Sequence, residues 1–150
     1  MTVLLYLRPS SWSLPLFVHV LGATVLFGGT LAVAILVLVA WRRRDLAALL
    51  SRLAFRLLLF FVLPAWILMR VGAGWIDGKE FPKNEPGWVG VGYVVSEGGL
   101  VLLVVMAVLA WRSARGGGTG RAAGAVAVLA PLYLVALAVA WFAMSAKPGA

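Results

Sequence analysis

From Leu14 to Trp41 the chain carries no Asp, Glu, Lys or Arg. An apolar run longer than about 18 residues is long enough, as a helix, to cross a bilayer. Three comparable runs follow, over residues 46–76, 88–111 and 122–144. No soluble fold of this length covers so much apolar surface: 63% of the residues are hydrophobic and 12% charged, about half the charged share of a soluble domain. The expectation is an all-α membrane protein, a four-transmembrane-helix bundle forming one domain over residues 1–150, with spans at 14–41, 46–76, 88–111 and 122–144.

Charge sets the expected orientation. The net charge of +8 would suit a nucleic-acid partner if it lay along one soluble face. Instead the basic residues stand at the ends of the apolar runs, which excludes nucleic acid and points to anionic headgroups of the bilayer as the partner. Arg42, Arg43, Arg44, Arg112, Arg115 and Arg121 fall in the two loops of one side. The other side has Arg8, Lys79, Lys83 and Lys147, offset by Asp77, Glu80 and Glu85. The positive-inside rule then makes the arginine loops cytoplasmic and both termini extracytoplasmic. Trp41 and Trp111 mark the inner ends, and Trp12, Trp75, Trp88 and Trp141 the outer ones. Such an asymmetry does not suit dual-topology multidrug exporters. Arg outnumbers Lys in a chain rich in Ala, Gly, Val and Leu, which suggests a GC-rich bacterial genome and a plasma (inner) membrane location.

Within this frame Arg70 is the residue lipid should not accept. A guanidinium stays charged in a protein, so it must reach water or an anion. Glu97 is the one acidic residue inside an apolar run. At about 1.5 Å per residue Arg70 lies roughly 9 Å and Glu97 roughly 13 Å below the outer helix ends. Side chains lean toward their helix N-terminus, so the two lean toward one another in depth. They are expected to form an intramembrane ion pair. The competing reading sends Arg70 outward to headgroups or Asp77 and leaves Glu97 protonated. Pro64 is expected to kink the second span. Arg52 and Arg56 share a face as interfacial phosphate anchors. Gly28, Gly29, Gly72, Gly74, Gly90, Gly92, Gly98 and Gly99 are read as close-packing positions.

His19 is the only histidine. Its helical face continues through Gly22, Ala23, Leu26 and Thr30, small enough to bring it into the bundle. One reading is an imidazole bonded to a backbone carbonyl or water. The other is a metal or haem ligand or a proton-responsive group. A haem held by two histidines of one chain is excluded. Copper(I) accepts imidazole and thioether ligands, and Met69 and Met144 share the leaflet of His19, so His19, Met69 and Met144 form a candidate metal set. His19, Arg70 and Glu97 form a second candidate, an intramembrane polar site near the outer side.

With no cysteine there is no disulfide, thiolate metal site or thiol redox centre. No phosphate-cradling loop of the G-x-x-x-x-G-K-[ST] type occurs, and Ser11, Ser13 and Ser96 have no base placed by a recognisable motif. No catalytic residue and no cofactor-binding set is assigned; the sequence requires no cofactor, and copper or haem enters only through His19.

Two stretches carry a resemblance. Residues 17–30 (FVHVLGATVLFGGT) resemble the first helix of bacterial copper-resistance CopD-like membrane proteins and of a loosely similar uncharacterised family of integral membrane proteins. Residues 140–148 (AWFAMSAKP) resemble the last helix of the latter. The resemblance implies a four-helix inner-membrane module and draws attention to His19, and it implies no reaction. Three functions are therefore expected, in this order. The first is a non-catalytic subunit or assembly partner of a membrane complex, packing against other subunits or its own copies. The second is binding or transport of a small ligand or ion at His19, Arg70 and Glu97. The third is copper or haem handling at His19.

Overall fold

The computed structural model describes residues 13–80 and 87–146. Arg8 and Trp12 of the head, Lys83 and Glu85 of the connector, the side chains of Lys79 and Glu80, and Lys147 of the tail lie outside the described residues. Among those described, the chain is all-helical. Helix α1 spans Ser13–Arg42, α2 Ala47–Leu57, α3 Leu63–Glu80, α4 Gly87–Arg115 and α5 Arg121–Ala146. A π-helical turn, Leu58–Val62, joins α2 to α3 without a break, so α2 and α3 act as one rod. Four helices are thus long and apolar enough to cross a membrane: α1, the α2–α3 rod, α4 and α5. Their ends lie within a few residues of the expected spans.

The π turn has a local cause. Pro64 has no N–H to give to the carbonyl four residues back, and its ring crowds that carbonyl. One turn earlier the ladder has widened, with Leu63 N–H bonding Leu58 O at a spacing of five. The irregularity expected at Pro64 therefore takes the form of an inserted residue in the preceding turn.

Around the bundle the order is α1, the rod, α4 and α5, each touching the next and α5 closing on α1. Fully buried Leu26, Val33, Leu58, Val62, Leu103, Met106, Val126 and Tyr133 fill the centre. Only 28–33% of each apolar span is buried, so most of its surface faces outward while staying apolar. Phe142 and Val94, 72% and 74% exposed, are typical of that outer surface. Water would oppose such a coat, whereas hydrocarbon is indifferent to it.

Two glycines fix the closest helix pair. A methyl at Gly22 would overlap the Met69 backbone, and one at Gly72 would overlap the backbone of His19. Helices α1 and α3 therefore run in near backbone contact. Gly29 seats Val62, Gly92 seats Met144, and Gly99 seats the Tyr133 ring. The glycine expectation needs correction at four positions: Gly28, Gly90 and Gly98 have open space where a Cβ would stand, and one at Gly74 would meet only the Arg70 guanidinium of its own helix, at 3.4 Å. Consecutive helical residues point about 100° apart, so of each Gly-Gly pair one packs inward and the other faces out.

Candidate functional site

The rod does not follow α4 evenly. Its α2 half packs on α4, while its α3 half is drawn toward α1 by the glycine contacts and touches α4 only sparsely. Side chains bridge what the backbones leave apart. Arg70 Nε donates to Glu97 Oε1 at 2.6 Å. The same guanidinium lies 4.7 Å from the centre of the Tyr93 ring, and the Tyr93 hydroxyl donates to Asp77 Oδ2 at 3.0 Å. Trp66 Nε1–H donates to the Ser96 carbonyl at 2.9 Å.

Helical spacing makes this seam. Residues 66, 70 and 77 fall on one face of α3, one and two turns apart, and residues 93, 96 and 97 on one face of α4. Glu97, Arg70, Tyr93 and Asp77 thus alternate between the two helices like a zipper. A guanidinium over an aromatic face and against a carboxylate gains from both, each interaction being stronger where water is scarce. The seam is on the outside of the bundle: the Arg70 side chain is 33% exposed and that of Glu97 53%.

His19 points elsewhere. Its Nδ1 lies 2.9 Å from the Met69 carbonyl. A carbonyl only accepts, so Nδ1 carries the proton and Nε2 of a neutral ring keeps its lone pair. His19 lines a cavity of about 360 Å³ between α1, α3, α4 and α5. Met69 and Met144 line the same cavity, as does Ser96, whose buried hydroxyl has no hydrogen-bond partner among the described residues. The rest of the wall is mostly apolar, with Trp88 and Trp141 among it.

The candidate residues therefore sort into two groups. His19, Met69 and Met144 share one cavity. Arg70 and Glu97 meet each other but do not line it. Met69 and Arg70 are neighbours in sequence, so their side chains leave α3 about 100° apart, one inward and one along the seam. The trio of His19, Arg70 and Glu97 consequently does not converge on one cavity. The alternative partner for Arg70, Asp77, is taken by Tyr93 instead.

Chemically, an imidazole nitrogen, two thioethers and a hydroxyl in one apolar cavity make a soft, neutral donor set. Among the described residues no group of three or more His, Cys, Asp and Glu could hold a harder metal. Sequence reasoning missed Tyr93 and Trp66, although both repeat the helical spacing of the residues it singled out. The chain matches no protein-family description, no curated protein and no solved structure.

Proposed function

We propose that this is a non-catalytic, multi-pass membrane protein that works as one subunit of a larger membrane assembly, made with other subunits or with its own copies. The observation that carries the reading is the exposure of the Arg70–Glu97 pair on the outside of the bundle. Glu97 lies ten residues into α4, hence roughly 15 Å along it, near the middle of a hydrocarbon layer of about 30 Å. Charged groups at that depth face protein or water rather than lipid. Beside them Gly98 leaves open space and Val94 stands 74% exposed. A second helix laid there would cover the pair and fit its backbone over the glycine. The same reading puts the arginine-bearing loops on the cytoplasmic side of a bacterial inner membrane, with both termini outside.

A photo-crosslinking residue in place of Val94 tests this in native membranes, with Phe142, equally exposed on α5, as the control. The expected result is a protein adduct of one defined mass at position 94 and lipid adducts at position 142. Lipid adducts alone at both would overturn the reading.

A second reading has its own observation, the meeting of His19, Met69 and Met144 in one cavity. In it the protein holds a soft monovalent cation, copper(I), through imidazole Nε2 and the two thioethers. The Met69 carbonyl fixes the ring so that Nε2 is the free donor. Titration of the reduced protein with copper(I) against a competing chelator checks it. One equivalent bound, lost in His19→Phe, supports copper; a wild type that fails to compete ends it, and a Soret band in the purified protein would assign the ring to haem.

A further inference from the structure

A second cavity, of about 390 Å³, opens at the opposite end of the bundle, between the loop after α1 and the loop before α5. Arg44 and Arg121 both line it, and both are exposed at its rim. Neither forms an ion pair among the described residues. The neighbouring acid, Asp45, is paired with Arg43 at 3.4 Å and does not line the cavity. Two arginines thus line one space, and no acidic residue is among its lining.

The backbone adds donors of the same sign. Gly120 and Arg121 line the cavity where α5 begins, and the first N–H satisfied by the new helix is that of Gly124, bonded to Gly120 O at 3.1 Å. The amides of residues 121–123 are left without helical partners and carry the positive end of a 26-residue helix. The loop is held in place to present them. Gly118, at φ +81°, rests against the backbone of Ala47 and Ala48, and its N–H closes on Ser113 O at 2.7 Å.

Deeper in, the wall changes character. Ser51 and Ser113 lie 4% and 2% exposed with their hydroxyls 3.1 Å apart. One hydroxyl donates to the other, which leaves a second O–H proton without an acceptor among the described residues. Around them the wall is apolar, formed by Val37, Ala54, Ala110 and Val126. The cavity is cationic at its rim, hydroxylic beneath, and hydrocarbon-like at its base.

We propose that this cavity binds a phosphate-bearing anion, with Arg44 and Arg121 clamping the phosphate oxygens and the first amides of α5 donating to them. Arginine suits the role because its planar fork meets two phosphate oxygens at once. The shared chemistry is a phosphate ester or free phosphate. The apolar base favours a lipid diester, whose headgroup fills the rim while its glycerol and first methylenes reach the Ser51–Ser113 layer. This site is separate from the seam and from the His19 cavity, and it stands or falls without either.

The test uses the whole chain in an uncharged maltoside detergent. Three probes are titrated: dioctanoyl-phosphatidylglycerol, dioctanoyl-phosphatidylcholine and inorganic phosphate. The expected result is saturable binding of phosphatidylglycerol, weakened about tenfold or more in Arg44→Gln/Arg121→Gln. Arg42→Gln/Arg112→Gln removes the same charge from outside the cavity and is expected to bind within about threefold of wild type. Ala123→Leu, which narrows the cavity with all charges kept, is expected to weaken binding as well, with helicity by circular dichroism unchanged. Inorganic phosphate that binds and displaces the lipid assigns the site to free phosphate; phosphate that does neither assigns it to the lipid. Equal losses in the two double variants, or no saturable binding of any probe, would overturn the proposal.

Discussion

Glu97 on α4 receives the Nε–H of Arg70 from α3 at 2.6 Å, across a helix pair whose backbones touch only sparsely. The bond replaces packing that the chain does not supply there. Its loss should therefore be felt more than that of an ordinary surface ion pair, whose median worth is about 0–1 kcal/mol. Glu97→Gln should destabilise the bundle by about 2 kcal/mol, since it orphans a guanidinium already removed from bulk water. Arg70→Gln/Glu97→Gln should recover part of that loss. Reversible unfolding in mixed micelles, run as a double-mutant cycle, gives the coupling directly. A coupling indistinguishable from zero would mean that Arg70 finds water as easily as it finds Glu97.

The contrast between two glycines separates internal packing from the proposed assembly face. Gly72→Ala places a methyl into the His19 backbone, so α1 and α3 must part along their tightest contact. A loss of about 2–3 kcal/mol is expected, as for overpacking in a filled core. Gly98→Ala meets nothing within this chain. Its own stability should hold or rise by up to about 1 kcal/mol, the helix-propensity difference. If a second helix lies on that face, the same variant should weaken the complex. Thermal stability and the position-94 crosslink yield, measured on both variants, distinguish the two roles.

Ser51 and Ser113 give a smaller but cleaner test of the interior. One hydroxyl donates to the other between α2 and α4, 3.1 Å apart, with Ser51 and Ser113 only 4% and 2% exposed. Ser113→Ala leaves Ser51 without its partner and should cost about 1 kcal/mol. Ser51→Ala/Ser113→Ala removes both polar groups, and its stability should return toward wild type. Two additive losses, instead of that recovery, would show each hydroxyl bonded to something other than its neighbour.

The four long helices are legible because length and hydropathy alone decide them, and the Arg70–Glu97 contact because a cation within an apolar run admits few partners. Helical spacing carried His19 into the bundle along the face of Gly22, Leu26 and Thr30, all three buried. What spacing could not supply is which neighbour each face meets. Met69 and Arg70 differ by one residue, yet one lines the cavity and the other the seam, and only the position of α1 against α3 decides between them. The outward glycines Gly28, Gly90 and Gly98 were misplaced for the same reason. The basic-end cavity joins residues from four helices and two loops, a convergence that no local motif announces. The sequence marks the loop arginines as orientation signals and headgroup partners without distinguishing among them, and only the fold shows that Arg44 and Arg121 line one space.

The loop that closes that end turns on Gly117 and Gly118, and their substitution separates backbone strain from steric contact. Both sit at nearly the same positive φ, +80° and +81°. An L-residue in that region costs about 1–2 kcal/mol. A Cβ at Gly117 enters open space, while one at Gly118 runs into the backbone of Ala47 and Ala48 at the start of α2. Gly117→Ala should then cost only the conformational term, about 1 kcal/mol, and Gly117→Asn less, because Asn tolerates the left-handed region. Gly118→Ala should cost at least about 2 kcal/mol more, because the loop must lift off α2 and release its N–H from Ser113 O. Thermal unfolding of the three variants reads the difference. Equal losses at 117 and 118 would mean that the loop does not rest on α2, and the rim of the basic cavity would then lack the support that presents Arg121 and the first amides of α5.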